Sequence, residues 1–327
     1  MPAARQLGVW PTLGIWAALC FGGALYSSWL GYGGRAFAAT LATFSWLLLV
    51  LLVFAARGVS DWLASRLGLA SGYLLAAAAL SAYLIYAFGT NTFSVLHGAV
   101  VALGLFVLMA LAAFAGQRPA GAWPDWAILA LLWVTVKFAR PHWLWPYPEG
   151  RLAYVLTILL GVNVALAAFL LVRRVDGVGY TIGWGRRWGF FVLASFAVFA
   201  SIAIVLGRAV HFISFAPRWS EWKTFPFTAI GILVFTAWPE EFLFRGLLQN
   251  MLSRASKSDL AGWWTASVLF GLSHITNGGF PNWRYVLLAS IAGLFYGWTW
   301  RATGSIFASA IVHALVDALW HFLFSTT

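Results

Sequence analysis

The stretch Trp238-Pro239-Glu240-Glu241-Phe242-Leu243-Phe244-Arg245 places two adjacent carboxylates and one arginine inside an apolar segment that runs from about Phe227 to Leu252. Placing a charged side chain at the centre of a membrane helix raises the free energy of insertion by about 2.5 to 3.5 kcal/mol. Such charges therefore need ion-pair partners, access to water or a functional role. On a helix, Glu241 and Arg245 lie one turn apart and can neutralise each other. Glu240 points about 100° away around the same helix. It is therefore the carboxylate that needs an explanation.

Pro239 gives a local reason for this segment to be open. Proline has no N–H group, so the carbonyl of Phe235 loses its helical partner, and we expect the helix to kink or restart here. A kinked helix admits water beside Glu240. The plain structural alternative is a buried ion pair with a spare glutamate at a helix end.

The composition excludes a soluble globular protein. Of 327 residues, 62% are hydrophobic and 9% are charged, and apolar stretches of about 20 residues, the length that spans a bilayer, recur from end to end. Alternating ten-residue strands are absent, so the sequence predicts an all-α, polytopic transmembrane helix bundle rather than a barrel. Glycine, proline and arginine residues separate the apolar stretches, and they divide the chain into about eleven predicted spans. These are 9–30, 37–56, 67–88, 93–115, 122–138, 151–172, 188–207, 227–252, 261–275, 285–302 and 304–325.

The formal net charge of +11 comes mostly from arginines at the ends of these segments. Such residues set membrane topology and contact lipid, and they favour a cytoplasmic position for the loop that contains Arg254 and Lys257. They do not indicate a nucleic-acid partner. The single cysteine, Cys20, excludes an internal disulfide and a multi-thiolate metal site.

A basic, glycine-rich stretch from Val172 to Gly189 marks a predicted domain boundary. We expect an N-terminal transmembrane bundle over residues 1–180, with no assigned role, and a functional unit over residues 181–327. The polar motifs that suggest chemistry all lie in the second part.

Two further motifs place ionisable groups in apolar helices: Phe270-Gly271-Leu272-Ser273-His274 and His313-Ala314-Leu315-Val316-Asp317. His313 and Asp317 are four residues apart and share one helix face, with His321 one turn further along. If these faces converge on Glu240, the site holds two carboxyl groups and two imidazoles in a low-dielectric environment. Such groups can activate water by general-base catalysis and stabilise an oxyanion, as amide hydrolysis requires.

The order of these motifs, Glu-Glu-x-x-x-Arg, Phe-x-x-x-His and His-x-x-x-Asp, resembles the CAAX prenyl endopeptidase and bacteriocin-processing family of intramembrane proteases, of the Ras-converting-enzyme type. The resemblance covers about residues 227–325, and the N-terminal bundle exceeds the minimal family core. It implies that Glu240 and His274 activate the attacking water and that Glu241 and Arg245 form a supporting pair.

The resemblance also implies that His313 and Asp317 hold the oxyanion. The last motif of the family accepts Asn or Asp, and this chain has Asp317. An ionised Asp317 would repel an oxyanion, so this carboxyl group is either protonated there or orients His313 by accepting a hydrogen bond.

We therefore expect an intramembrane endopeptidase that hydrolyses a peptide bond in a membrane-associated protein or peptide. The expected surroundings are the lipid bilayer, as a multi-pass protein of a bacterial plasma membrane. The alternative is a non-enzymatic membrane factor, for bacteriocin immunity or assembly, or a proton-coupled transporter that uses Glu240 and the histidines as a relay. An inverted repeat would favour the transporter, and the sequence has no internal repeat.

No cofactor is expected. Zinc would take Glu240, His274 and His313 as ligands, but the sequence has no His-Glu-x-x-His motif, so metal-free catalysis is favoured.

Overall fold

Helices account for nearly all of the structure, and they follow the apolar segments of the sequence. The computed structural model describes residues 5–138, 141–147 and 151–326. The chain divides into two units. The N-terminal unit is Leu7–Asp176, and the C-terminal unit starts at Gly177 and also includes Arg5 and Gln6.

The N-terminal unit contains eight helices in its described part. They are α1 (Val9–Trp29), α2 (Gly34–Val53), α3 (Val59–Leu67), α4 (Ala70–Gly89), α5 (Val95–Ala115), α6 (Trp123–Phe138), α7 (Pro141–Leu144) and α8 (Arg151–Ala165, continued by the π-helical segment Leu166–Val172). The tightly buried side chains of α2, α4 and α8 are mostly Leu, Ala and Tyr, as expected for helices that pack against one another.

One buried ion pair joins the ends of this unit's later helices. The guanidinium of Arg173 meets Asp125 with two contacts, Nε to Oδ1 at 2.7 Å and Nη2 to Oδ2 at 2.9 Å. It also donates to the carbonyl oxygens of Gly116, Arg118 and Pro119. Both charged side chains are almost completely buried, and their hydrogen bonds offset the cost of removing them from water.

The described part of the C-terminal unit contains five helices and four short strands. They are β1 (Arg5–Gln6), β2 (Gly183–Trp184), α9 (Trp188–Ala209), β3 (Ile213–Phe215), α10 (Phe225–Ser256), α11 (Asp259–Leu272), α12 (Trp283–Thr303), α13 (Ile306–Leu323) and β4 (Phe324–Thr326), with a single 3₁₀ turn at Trp219–Glu221.

The strands form two antiparallel pairs that join distant parts of the sequence. In the first, Arg5 lies opposite Trp184 and Gln6 opposite Gly183, so the beginning of the chain is attached to the C-terminal unit. In the second, β3 pairs with β4, which follows α13 directly.

Polar caps start the last three helices. The side chains of Ser258, Asn282 and Ser305 accept hydrogen bonds from backbone N–H groups in the first turns of α11, α12 and α13. Each cap satisfies a donor that has no partner inside the helix. The caps therefore define where α11, which ends just before His274, and α13, which carries His313 and Asp317, begin.

Small residues let α11 and α12 approach closely. A β-carbon built on Gly271 would lie 1.9 Å from Ser290 Oγ, and one built on Gly293 would lie 3.0 Å from the Cα of Ser267. Glycine at these two positions brings the helix backbones together, as is common between membrane helices. This packing holds the C-terminal end of α11 in place, and His274 lies just beyond that end.

The all-α, polytopic fold is confirmed, and all eleven predicted segments are helical. Within the described residues, eight helices are long and apolar enough to cross a membrane, fewer than the eleven spans that we predicted. The other three predicted spans are helices that are shorter or more polar, namely α6, α11 and α12.

Candidate active site

The helix that carries the paired glutamates, α10, changes its hydrogen-bond pattern around them. It is α-helical over Phe225–Ile232, Trp238–Glu241 and Asn250–Ser256, and π-helical over Leu233–Ala237 and Phe242–Gln249. The N–H of Trp238 donates to the carbonyl of Leu233, five residues earlier. The chain remains helical through Pro239, where we predicted a kink or a restart, and wider π-helical turns lie on each side of it. Such turns are frequent at functional sites.

Glu241 is completely buried, and both of its oxygens have partners. Arg245 Nε donates to Oε2 at 3.0 Å, as the spacing of the two residues predicted. The hydroxyl of Ser309 lies 2.5 Å from the same oxygen and 2.8 Å from the carbonyl oxygen of Tyr296. His313 Nδ1 lies 3.0 Å from Oε1. Glu241 therefore connects α10 to α13 through a serine, a histidine and an arginine.

Glu240 differs from its neighbour in both exposure and bonding. Its side chain is 25% exposed, whereas that of Glu241 is 0% exposed. Its Oε2 atom is buried and has no hydrogen-bond partner in the described part of the chain. The nearest basic group to this oxygen is His313 Nε2, at 4.0 Å. A buried carboxylate oxygen without a partner is costly, so Glu240 has an acceptor to offer to a water or a substrate.

His313 lies between the three acidic side chains. Its Nδ1 contacts Glu241, while its Nε2 lies 3.5 Å from Asp317 Oδ2 and 4.0 Å from Glu240 Oε2. The imidazole is only 4% exposed, whereas Asp317 is 39% exposed. The predicted i,i+4 pair on α13 is therefore present. Its histidine is buried in the protein, and its acid is partly exposed at the surface.

His274 lies two residues beyond the end of α11, in a turn, and not within a helix as we predicted. Its Nδ1 lies 2.8 Å from the carbonyl oxygen of Phe270. Since a carbonyl only accepts, the hydrogen of the neutral imidazole is on Nδ1, and Nε2 presents a lone pair. His274 and Asp317 both act electrostatically on Glu240.

Aromatic rings hold the two imidazoles in place. The ring of Phe270 contacts both, edge to face, at 4.8 Å from His274 and 5.7 Å from His313. Tyr285 stacks on His274 at 5.0 Å, and Tyr296 stacks on His313 at 4.6 Å. The site is thus rigid and mostly apolar around its few polar atoms, a typical setting for preorganised catalytic groups.

Comparison with known protein families agrees with this geometry. Residues 222–319, which include Glu240, His274, His313 and Asp317, match the family described as Rce1-like, type II CAAX prenyl endopeptidase Rce1-like. Over these residues, the C-terminal region of this chain is similar to the Rce1-like family. Searches of curated proteins and of solved structures gave no significant match. The protein is thus an integral membrane protein with an Rce1-like region in its C-terminal unit, and the family resemblance drawn from the three motifs is confirmed.

His321, Glu221 and Arg218, which lie just outside the Rce1-like region, form a separate group of contacts. His321 follows Asp317 by one turn, but its Nε2 lies 3.6 Å from Glu221 Oε2, and its ring and carbonyl contact Arg218. No contact between His321 and Asp317 is present among these described residues. The shared helix face therefore does not make His321 part of the cluster.

Among residues 5–138, 141–147 and 151–326, no group of three His, Cys, Asp or Glu side chains is placed so that it could share one metal ion. In His274 and His313 it is Nδ1 that contacts a protein acceptor, Phe270 O and Glu241 respectively.

Sequence reasoning missed four residues of the site: Phe270 as a ring that contacts both histidines, Tyr285, Tyr296 and Ser309. Ser309 had a signal, because it precedes His313 by four residues and therefore shares its helix face. The two tyrosines had none, since an aromatic residue in an apolar helix is ordinarily a packing or interfacial residue.

Proposed function

We propose that this protein is an intramembrane endopeptidase in which Glu240 acts as the general base. One observation supports the proposal above the others: of two adjacent glutamates in one helix, Glu241 has hydrogen-bond partners at both oxygens, and Glu240 has a buried oxygen without a partner in the described part of the chain. A structural carboxylate is satisfied by its neighbours. A general base must instead keep an acceptor for the proton that it removes.

His274 shares the attacking water with Glu240. Its Nδ1 hydrogen is directed to the Phe270 carbonyl, so its Nε2 lone pair accepts one hydrogen of the water while Glu240 accepts the other. The ring is held by Tyr285 and Phe270, which reduces the entropy cost of orienting the water.

His313 holds the oxygen of the scissile carbonyl. Glu241 accepts from Nδ1 and Asp317 lies beside Nε2, so in this proposal the ring is an imidazolium with a hydrogen on each nitrogen, and Asp317 orients the Nε2 hydrogen toward the carbonyl oxygen. As negative charge develops on the carbonyl oxygen, this hydrogen bond strengthens, and stabilisation of the transition state exceeds that of the bound peptide. In this proposal Asp317 positions His313 as an acceptor.

The steps balance without any further reactant. The water oxygen bonds to the peptide carbonyl carbon as one of its protons passes to the Glu240 carboxylate, and the carbonyl electron pair moves to the oxygen held by His313. The C–N bond then breaks, and the proton on Glu240 moves to the departing amine nitrogen. The products are a carboxylic acid and an amine, and Glu240 returns to its starting state.

The proposed substrate is a peptide or protein that is itself associated with the membrane. The groups that carry the proposal lie in α10, α13 and the end of α11, and α10 and α13 are apolar enough to span a bilayer. A peptide bond that reaches these groups comes from a segment that enters or lies on the bilayer.

Proteomic comparison of chain termini tests the function directly. Membranes are prepared from cells that express the wild type, Glu240→Ala or the matched control Glu221→Ala, which removes an acid outside the cluster. New protein termini should appear with the wild type and with Glu221→Ala, and they should be missing with Glu240→Ala. If all three preparations give the same termini while the proteins are present at equal levels, the protein is not a protease of this kind, and the non-enzymatic factor or the transporter becomes the better hypothesis.

A strong chelator tests the metal question on the same substrate. Cleavage should continue in its presence, because Glu240 and His274 act directly on water in the proposed mechanism. Complete loss of cleavage that zinc alone restores would instead assign a metal to Glu240, His274 and His313.

A further inference from the structure

A polar cavity lies in the C-terminal unit, away from the part of the helices that forms the candidate active site. Its volume is about 940 Å³, within the range of about 300 to 1,000 Å³ that is common for ligand sites. It is lined by the end of α10, the start of α11 and the end of α12. Arg254 follows Glu240 by 14 residues on α10, which corresponds to roughly 20 Å along the helix. The cavity, here called the interfacial cavity, is therefore separate from the catalytic cluster.

Two arginines from different helices line the interfacial cavity. Arg254 comes from the last turn of α10 and Arg301 from the last turn of α12. The Arg254 guanidinium is held by a hydrogen bond from Nε to Asn250 Oδ1 at 3.1 Å. One carboxylate, Asp259, accompanies them in the lining, so the positive groups outnumber the negative one.

Three tryptophans line the same cavity: Trp263, Trp298 and Trp300. The guanidinium of Arg301 lies over the ring of Trp263, 5.1 Å from its centre. The indole N–H groups of Trp263 and Trp300 donate to the backbone carbonyls of Leu294 and Val178, which fixes both rings. Tryptophan at the end of a membrane helix usually lies at the level of the lipid headgroups.

An arginine in the last turn of a helix has a purely structural explanation, because it interacts favourably with the helix dipole. That explanation does not require the two arginines to share a cavity of this size, nor the cavity to have a wall of fixed indole rings. The combination of guanidinium groups and an apolar aromatic wall instead matches a ligand with a phosphate at one end and hydrocarbon at the other. Basic pockets between transmembrane helices bind anionic lipid headgroups by the same chemistry.

We propose that the interfacial cavity binds a phosphate group, that of an anionic membrane lipid, with Arg254 and Arg301 as its ligands. The indole rings pack against the glycerol and the upper part of the acyl chains. Asp259 opposes this binding, since it is the acid of the lining. The sequence predicts that the loop with Arg254 and Lys257 is on the cytoplasmic side, where anionic lipids attract basic residues.

Native mass spectrometry of the delipidated full-length protein tests the proposal, with phosphatidylglycerol and phosphatidylcholine of identical acyl chains as probes. The wild type should retain phosphatidylglycerol about tenfold more tightly. Arg254→Gln together with Arg301→Gln should remove this preference. The control pair Arg186→Gln and Arg187→Gln changes the charge equally at exposed positions outside the cavity and should keep the preference. Asp259→Asn should increase it.

Each outcome decides one part of the proposal. An equal preference in the wild type and in the Arg254/Arg301 variant, with both proteins folded by thermal melting, would overturn the site. Arginine-dependent binding of inorganic phosphate, without a preference between the two lipids, would retain a phosphate site and overturn its lipid source. The readout is lipid retention and not cleavage, so the result stands whether or not the proposed protease function does.

Discussion

The two units bury charge in different ways. In the N-terminal unit, Asp125 and Arg173 are joined by two short contacts, and Arg173 adds three backbone carbonyls. In the C-terminal unit, Glu241 is equally well satisfied, but Glu240 Oε2 and both terminal nitrogens of Arg245 are buried without a hydrogen-bond partner in the described chain. The buried atoms without a partner that the described N-terminal unit contains, Trp145 Nε1 and Asn163 Oδ1, are neutral.

This difference separates a charge that stabilises a fold from a charge that is kept for chemistry. A buried pair with every hydrogen bond made is hard to change and has nothing left to offer a ligand. A buried carboxylate with a free oxygen destabilises the fold locally and is retained where it performs a task. Arg245 illustrates an intermediate case, since its guanidinium lies over the rings of Phe270 and Tyr296, at 5.0 and 5.9 Å.

The largest effect should follow from Glu240→Gln. The amide keeps the shape of the side chain but cannot take a proton, so cleavage should fall by about 10² to 10⁴-fold. Thermal stability should stay close to that of the wild type, because no described hydrogen bond of Oε2 is lost. Cleavage rate and melting temperature are measured on the same preparation. A variant that cleaves normally would remove Glu240 from the proposed mechanism.

The next effect concerns the ion pair of the N-terminal unit. Asp125→Asn leaves Arg173 as a buried charge without its counter-ion and should cost about 3 to 5 kcal/mol of stability. The control is Asp61→Asn in the same unit, which removes an exposed acid and should change the melting temperature little. Replacing both members of the pair by apolar residues should recover much of the loss. If Asp125→Asn melts like the wild type, the pair does not stabilise this unit.

A comparable loss of stability, with a smaller loss of cleavage, is expected from Glu241→Gln. The amide leaves Arg245 as a buried charge without its counter-ion and weakens the bonds from Ser309 and His313, so stability should also fall by about 3 to 5 kcal/mol. Cleavage should fall less than in Glu240→Gln, since Glu241 acts by holding the ring of His313. Equal stability and equal activity of the two glutamine variants would refute the division between the two acids.

Asp317→Asn separates the two roles that the sequence leaves open for this carboxyl group. An amide accepts from His313 Nε2 less well than a carboxylate, so cleavage should collapse if Asp317 orients His313 as an anion, and it should be largely retained if Asp317 donates to the oxyanion. If a protonated Asp317 donates to the oxyanion, the wild type alone should lose rate as the pH rises. A folded but inactive asparagine variant would rule out that donor role.

Much of the fold was predictable because apolar length and spacing are properties of the local sequence. The eleven helical segments follow from hydrophobic runs, and the pairing of Glu241 with Arg245 follows from their separation by four residues. The convergence of motifs from three segments was an expectation based on the cost of isolated charges, and the structure brings His313 within 4.0 Å of both Glu240 and Asp317.

Other features could not be predicted, because they depend on three-dimensional packing. The π-helical turns of α10 contain the same kinds of apolar residues as an α-helix, so composition does not distinguish them. The end of α11 before His274 is set by contacts with α12 and not by a proline or a glycine cap. The catalytic roles of Glu240, His274, His313 and Asp317 stay predictions until the variants are assayed.

The pairing of β1 with β2 has a consequence for biosynthesis. Arg5 and Gln6 leave the ribosome about 180 residues before Gly183 and Trp184, which at about 5 to 20 residues per second is a delay of roughly 10 to 35 seconds. All of the intervening helices are translated in that time, so the strand cannot close until the N-terminal unit has been made. Formation of this small sheet therefore reports that translation has passed from one unit to the other.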